Sequence, residues 1–496
     1  MSKTILLLLV LLLLGGCALG PDYERPSQEL PINSAHYEDL VYTHARWWES
    51  FNDPLLNQLE IEALAKNRNL LVAMARVEEA AAAAGIALAD RLPQIGSNFS
   101  GSRQQITQAQ AMSYGPTASR IQNAWQAAGL LSFEIDLWGK YRRLDEAARA
   151  ELLASEAARD AVQLTLCADV AYAYFQMLSL KAQCLIANNM VKTYQESVRI
   201  FQARLEAGLV QEIDLRRVEA ELATNSADLH LLQNQLNQIE GVLSVLLGRN
   251  PKDILANHYP IALKIDELTP PPDIPDLVPS DLLTRRPDIR QAEGLLIAAN
   301  AHIGAARAAF LPSISLTAGG GYASSDLDRL FIGPSSIWNF IGNLTQPLFH
   351  GGRLIAAEAM AQARYRQMLA NYELTISQAF RDTRDALENN RQRRLVAGYR
   401  EDQLKAMERS LYLANKQYEQ GTIGLMDLLD VRRNLLRAQL GVAESRLMQL
   451  TGVVLLCKSL GGGWNETQGF SWPGQEPETL DTTDTALGVP QPAEQP

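Results

Sequence analysis

One arrangement of residues occurs twice in this chain, and that repeat restricts its fold more than any other feature. The alanine-rich stretch that opens at Pro287 has proline at a first-turn position and predicts a helix, which Pro312 stops. Beyond the proline, Ile314, Leu316 and Ala318 alternate with Ser313, Ser315 and Thr317, the period of a strand with two unlike faces. At an offset of 219, Leu70 matches Ile289, Ala73 matches Ala292, Gly85 matches Gly304, Leu92-Pro93 matches Leu311-Pro312, Ile95 matches Ile314 and Gly101 matches Gly320. Further along, an offset of 213 puts Gly208 on Gly421, Asp214 on Asp427, Leu215 on Leu428, Val218 on Val431 and Gly248 on Gly461. Val191, Tyr194, Val198, Phe201 and Leu205 keep heptad steps, and so do Leu404, Met407, Leu411, Ala414 and Tyr418 at the same offset. A helix, a strand hairpin and a long helical hairpin are written twice, which predicts one pseudo-symmetric unit.

The strands show two chemistries. Leu131, Phe133, Ile135 and Leu137 alternate with Ser132, Glu134 and Asp136, and Trp338, Phe340, Gly342 and Leu344 alternate with Asn339, Ile341, Asn343 and Thr345. Lipid outside and water inside a barrel gives this pattern, and so does a soluble hairpin with one buried face; alternation alone leaves both open. Trp138, Trp338 and Phe349 are candidates for an interfacial aromatic girdle. If the strands enter a membrane, two hairpins are too few, because the smallest membrane barrel takes about eight strands and lipid tolerates no open edge. Copies of the chain must then close the barrel together.

The helices set the length of the object. No proline or glycine interrupts Tyr141 to Ala207, so a continuous helix there would be about 100 Å long at 1.5 Å per residue. Its counterpart runs from Leu354 to Gln420 with only Gly398 inside it. After Gly208 a partner helix returns with Leu215, Val218, Leu222, Leu229, Leu232, Leu236, Ile239, Leu243 and Leu246 on heptad positions, and Gly421 and Gly424 open the equivalent turn. The expected fold is mainly α with a β-barrel part, an internally duplicated tube.

The first residues read as an address. Lys3, an apolar run from Ile5 to Leu14 too short to span a bilayer, and Gly15-Gly16-Cys17 form a lipoprotein signal over 1–16, with Cys17 taking an S-diacylglycerol and an N-acyl chain after cleavage. The expected order then is an anchored segment over 17–54, a first repeat over 55–250 with its β-hairpin at about 94–138 and helical hairpin at 140–248, and a Pro-rich linker over 251–280. A second repeat follows over 281–463 with its β-hairpin at about 312–349 and helical hairpin at 353–460, and then an acidic, Pro-rich tail over 464–496 expected to be disordered. A net charge of -11 argues against nucleic acid as a partner. Cys167, Cys184 and Cys457 are an odd set, and Cys167 and Cys184 fall in a predicted helix, so packing as small hydrophobes is their expected role.

Several motifs resemble the TolC-like outer membrane factor family, in its lipid-anchored branch that serves tripartite efflux pumps. They are Cys17 with Gly20-Pro21-Asp22-Tyr23-Glu24-Arg25-Pro26, Trp47-Trp48-Glu49-Ser50-Phe51-Asn52-Asp53-Pro54, Leu282-Leu283-Thr284-Arg285-Arg286-Pro287-Asp288-Ile289 with Phe310-Leu311-Pro312, and Gly421 to Asp430. The resemblance implies a homotrimer in the outer membrane, with a twelve-stranded barrel and a periplasmic α-helical barrel girdled by the Pro-rich linker and the terminal segments. It implies a periplasmic adaptor and an inner-membrane transporter of the RND type as partners, and that transporter would select the cargo. It also implies a gate at the helix tips, with acids at Asp427 and Asp430 lining the constriction and Tyr418 beside Asp214 holding it closed. Ile423 stands where the family carries an arginine of that lock.

The residues themselves put Asp427 and Asp430 on one helical face, so a threefold axis would bring their carboxylates around one opening. A preference for helix N-termini explains all three Asp equally well, and Tyr418 also sits on a heptad core position. Catalysis has little support. His36, His44, His230, His258, His302 and His350 lack metal spacing, and His350-Gly351-Gly352 has no nucleophile elbow near it. No cofactor or metal is expected. The competing function is a lipid-anchored coiled-coil tether that conducts nothing, which shares the heptads but does not require two-faced strands.

Overall fold

The computed structural model describes residues 18–27, 46–105, 121–256 and 285–462; the leader, Cys17, the first hairpin's tip, most of the Pro-rich linker and the tail lie outside them. A short 3-10 turn, Trp47–Phe51, leads into helices α1 (Pro54–Lys66) and α2 (Arg68–Ala89). Strands β1 (Gln94–Gln105) and β2 (Ile121–Ile135) follow, then α3 (Lys140–Glu206), α4 (Glu212–Leu246) and a short α5 (Pro251–Ala256). The second half holds α6 (Pro287–Ala308), β3 (Ser313–Ser324), β4 (Ser336–Thr345), α7 (Arg353–Glu419) and α8 (Leu425–Ser459).

The duplication holds element for element, with only the second strand of each hairpin differing in length, 15 residues in β2 and 10 in β4. Helices α2 and α6 both have 22 residues, β1 and β3 both 12, α3 and α7 both 67, and α4 and α8 both 35. Gly139 and Gly352, Gly208 and Gly421, and Gly248 and Gly461 take positive φ in matched pairs. Helix α7 passes through Gly398 without a break, since one glycine costs a helix only about 1 kcal/mol.

The first helix departs from expectation. The sequence reads as one helix from Asp53-Pro54 to Leu92, but the chain breaks at Asn67, whose backbone is extended at ψ 128. Its side chain accepts from the N–H of Leu70 at 3.0 Å and donates to the carbonyl of Leu246 at 2.8 Å, so it caps α2 and fastens it to the end of α4.

All four strands form one antiparallel sheet in the order β1-β2-β3-β4. The register puts Ile95, Leu131, Ala318 and Phe340 in one cross-strand row, and Ile135, Ile314 and Leu344 in another on the same face. The opposite face carries Gln94, Ser132 and Thr317 in one row and Glu134, Ser315 and Asn343 in another, with Ile341 an exception. Among the described residues nothing covers the apolar face: Ile95 is 80% exposed, Trp338 84%, Phe340 66% and Leu344 70%. A soluble hairpin would have buried such a face against a partner layer.

The main core lies where α1, α3, α4 and α8 meet, around Trp47, Phe51, Leu56, Tyr174, Phe175, Leu243, Leu450 and Val454. Cys167 and Cys457 are buried in it as free thiols, and Cys184 is half-buried. Glu60 is wholly buried there, and neither of its oxygens has a hydrogen-bond partner. Burial pushes its pKa well above the ordinary 4.5; the Cys167 thiol works the other way, but is not in hydrogen-bond geometry. The unfolded chain therefore releases this proton at lower pH than the folded one, so Glu60 lowers stability as pH rises above about 4.5. In Glu60→Gln that contribution is absent, and denaturant midpoints measured from pH 5 to pH 8 should fall less steeply than in the natural protein.

Candidate functional site: the paired helix tips and the N-terminal strap

The two long helical hairpins turn by the same device. Gly208 donates to Leu205 O at 2.9 Å and Leu209 to Arg204 O at 2.8 Å; Gly421 donates to Tyr418 O at 3.0 Å and Thr422 to Gln417 O at 2.9 Å. The glycines sit at φ 71 and φ 70, the left-handed conformation that ends a helix in a Schellman motif. Gly424 differs from them. Its φ is -82, it is the N-cap of α8, and a Cβ there would meet only the Asp427 carboxylate at 3.6 Å. Gly421→Ala should therefore cost about 1–2 kcal/mol of hairpin stability, whereas Gly424→Ser should be neutral or stabilising by a few tenths because serine is the better N-cap. Thermal unfolding of both variants checks the contrast.

Asp214 and Asp427 take the same place, in the first turn of α4 and of α8. The Asp427 carboxylate accepts from the N–H of Gly424 at 3.1 Å, a helix-start role, and remains exposed. Asp430 pairs with Arg433, which also reaches Glu221 of α4 at 3.4 Å. Asp214 lies 3.7 Å from Arg217. Tyr418 packs against the buried cluster of Tyr194, Phe201, Leu215, Val218 and Leu429, and within one chain it makes no hydrogen bond to Asp214. Arg432 crosses from α8 to α3, donating to Ser197 Oγ at 3.1 Å, and burial pushes its guanidinium below its ordinary pKa. A cavity of about 180 Å³ between the hairpins is lined by Ser197, Phe201, Arg204, Tyr418, Leu429 and Arg432. The links through Arg432, Arg433, Ser197 and Glu221 were not apparent from the sequence; the Arg432-Arg433 pair, separated from Asp430 by Val431, was their only signal.

At the other end of the helices, residues 18–27 form a strap. Leu19 donates to Trp138 O at 3.1 Å and accepts from Arg143 Nε at 3.2 Å, while Arg143 pairs with Asp22 at 2.7 Å. Asn300 of α6 donates to Pro21 O at 2.9 Å, and Glu293 of α6 accepts from Tyr23 at 3.1 Å and from both Nε and Nη2 of Arg25 at 2.7 and 2.8 Å. The strap thus ties α3 of the first repeat to α6 of the second, with Ala18 against Gly139 at the start of α3.

The strand acids also have local work. Glu134 accepts from the Tyr141 hydroxyl at 3.0 Å, and Asp136 accepts from the N–H of Arg142 at 2.8 Å, so both fasten β2 to the first turn of α3. Trp138 donates to Pro312 O at 2.8 Å and shares a groove with Phe349 at this junction. Trp338 is not with them; it lies seven residues up β4 from Thr345, roughly 23 Å away along the strand.

Comparison with known proteins fits this geometry. The toluene efflux pump outer membrane protein TtgC of Pseudomonas putida is 35% identical over 482 residues, covering 95% of this chain and 97% of that protein. The cation efflux system protein CusC of Escherichia coli is 34% identical over 463 residues, covering 92% and 98%. The crystal structure of the CmeC outer membrane channel of Campylobacter jejuni superposes with a TM-score of 0.86 at 28% identity, covering 91% of this chain and 96% of that one. The pattern of outer membrane efflux proteins matches twice, over residues 61–249 and 278–462, once for each repeat. The chain is a channel-type protein and not an enzyme: it belongs to the outer membrane efflux protein family.

Proposed function

We propose that this chain is the exit duct of a tripartite efflux pump, three copies of which close a twelve-stranded barrel in the outer membrane above a periplasmic tube of helices. The observation that carries the proposal is the sheet: among the described residues one largely apolar face is uncovered, and the two edges, β1 and β4, have no partner strand. Lipid admits no such edge, so neighbouring copies supply the pairing. Trp138 and Phe349 at one end and Trp338 at the other are separated by roughly the 25 Å height of a membrane barrel's apolar band. A tether that conducts nothing gives no reason for this face.

The strap supports a lipid anchor at Cys17. That residue is one peptide bond from Ala18, which is held at the strand-to-helix junction, so acyl chains on Cys17 would enter the leaflet that Leu348 and Phe349 border. Small toxic compounds are the proposed cargo, delivered by an adaptor and an inner-membrane transporter, with Asp427 and Asp430 gating the tips and Tyr418 and Asp214 beside them. The relatives named for toluene and for cations bracket that range.

A charge on the lipid face tests the proposal. Phe340→Arg should cost about 2–4 kcal/mol per copy near the bilayer midplane and deplete the assembled protein in outer-membrane fractions. Asn339→Arg, one residue along and on the polar face, should assemble normally and shift ion selectivity. Equal tolerance of both substitutions contradicts a membrane barrel.

A further inference from the structure

The cavity between the two hairpins of one chain holds positive charge that its surroundings do not balance. Arg432 is half-buried there, and of the five N–H groups of a guanidinium only one has a partner, the uncharged Ser197 Oγ at 3.1 Å. Arg204, also in the lining, stacks on the Phe201 ring at 5.8 Å. Among the described residues neither arginine pairs with a carboxylate. Glu419, the one acid of the lining, is exposed and pairs with neither, while Asp430 and Glu221 are both taken by Arg433. The rest of the wall is mostly apolar, with Phe201, Leu425, Leu428 and Leu429.

A guanidinium drawn partly out of water without a counter-charge is costly, and a bound anion offsets that cost. A bare inorganic ion would leave the apolar wall without a partner. The volume of about 180 Å³ is close to the roughly 150 Å³ of an apolar cavity that admits benzene, which limits the ligand's body to one ring or a short alkyl chain. We infer that this cavity binds a small amphipathic organic anion, a monocarboxylate of about benzoate's size, with its carboxylate on Arg432 and Ser197 and its body against Phe201 and Leu429. The internal repeat does not copy the site. At the offset of 213, Arg432 falls on Glu219, Arg204 on Gln417, Phe201 on Ala414 and Leu429 on Arg216, so each chain holds one such site. Its lining comes from one chain alone, and the inference stands apart from the trimeric duct.

Isothermal titration of sodium benzoate into the full-length protein in mild detergent tests it. One saturable site per chain with a Kd of about 1 mM or tighter is expected. Arg432→Gln should weaken binding about tenfold or more by removing the charge-assisted bonds. Leu425→Phe keeps the guanidinium but fills the space, and should weaken binding by about the same factor. Circular dichroism of each variant separates lost binding from lost fold, and should one variant fail to fold the other carries the test. Benzamide, which has the ring without the charge, and inorganic phosphate, which has charge without the ring, should each bind about tenfold more weakly than benzoate. Absence of benzoate binding, binding unchanged in a folded variant, or benzamide or phosphate held as tightly as benzoate overturns the inference. A glutamate-rich peptide held through Arg432 in place of benzoate would assign the cavity to a protein partner and overturn it as well.

Discussion

Asp427→Asn combined with Asp430→Asn should convert a nearly closed pore into one with several-fold higher conductance and lost block by divalent cations. In the proposed trimer the threefold axis would bring these like charges together, an arrangement that would bind cations and narrow the opening. Removing them also unhooks Arg433, which holds Asp430 on one side and Glu221 of α4 on the other. The fold should survive, because Asp427 contributes one hydrogen bond from the Gly424 N–H at the start of α8, worth about 1 kcal/mol, and an asparagine amide oxygen can accept it too. Planar-bilayer recording across a magnesium titration checks the expectation; unchanged conductance and unchanged cation dependence would remove the gate assignment.

The largest expected loss of stability follows Asp53→Ala. Asp53 is fully buried, caps α1 by accepting from Leu55 and Leu56 at 2.9 and 3.3 Å, and accepts the Tyr174 hydroxyl at 2.5 Å. Burial and the adjoining Asp53 carboxylate keep that hydroxyl protonated. Alanine removes the cap, about 1 kcal/mol, and strands a buried hydroxyl, about 1–3 kcal/mol, for a total near 2–4 kcal/mol. Adding Tyr174→Phe should then cost little more, because the stranded group has gone, and thermal midpoints of the two single variants and the double variant measure that coupling. Additive losses would show that the bond does not join the two residues energetically.

The architecture was legible because duplication and hydrophobic period are local properties of the sequence. Proline stops, helix-ending glycines and the strand alternation all appear in the structure where the pattern placed them. What the sequence concealed depends on distant partners. The break at Asn67 is fixed by the carbonyl of Leu246, 179 residues away, and no window around Asn67 contains it. The motif Gly20 to Pro26 was recognisable, but its physical use was hidden because Arg143, Glu293 and Asn300 lie far along the chain. Gly424 looked like Gly421 because composition does not distinguish an N-cap from a left-handed helix end. The tip acids were readable as a spacing, whereas their arginine partners were not, because a surface charge run reads the same whether it is solvated or spans two helices.

Opposite chemistry on the two faces of an open sheet makes self-association the central claim. The most direct test is the mass of the full-length protein extracted from outer membranes in mild detergent, followed by its reconstitution into liposomes loaded with a small fluorescent dye. A mass of three chains, with dye released once Asp427 and Asp430 are neutralised, is the predicted result. A single-chain mass with impermeable liposomes would contradict it.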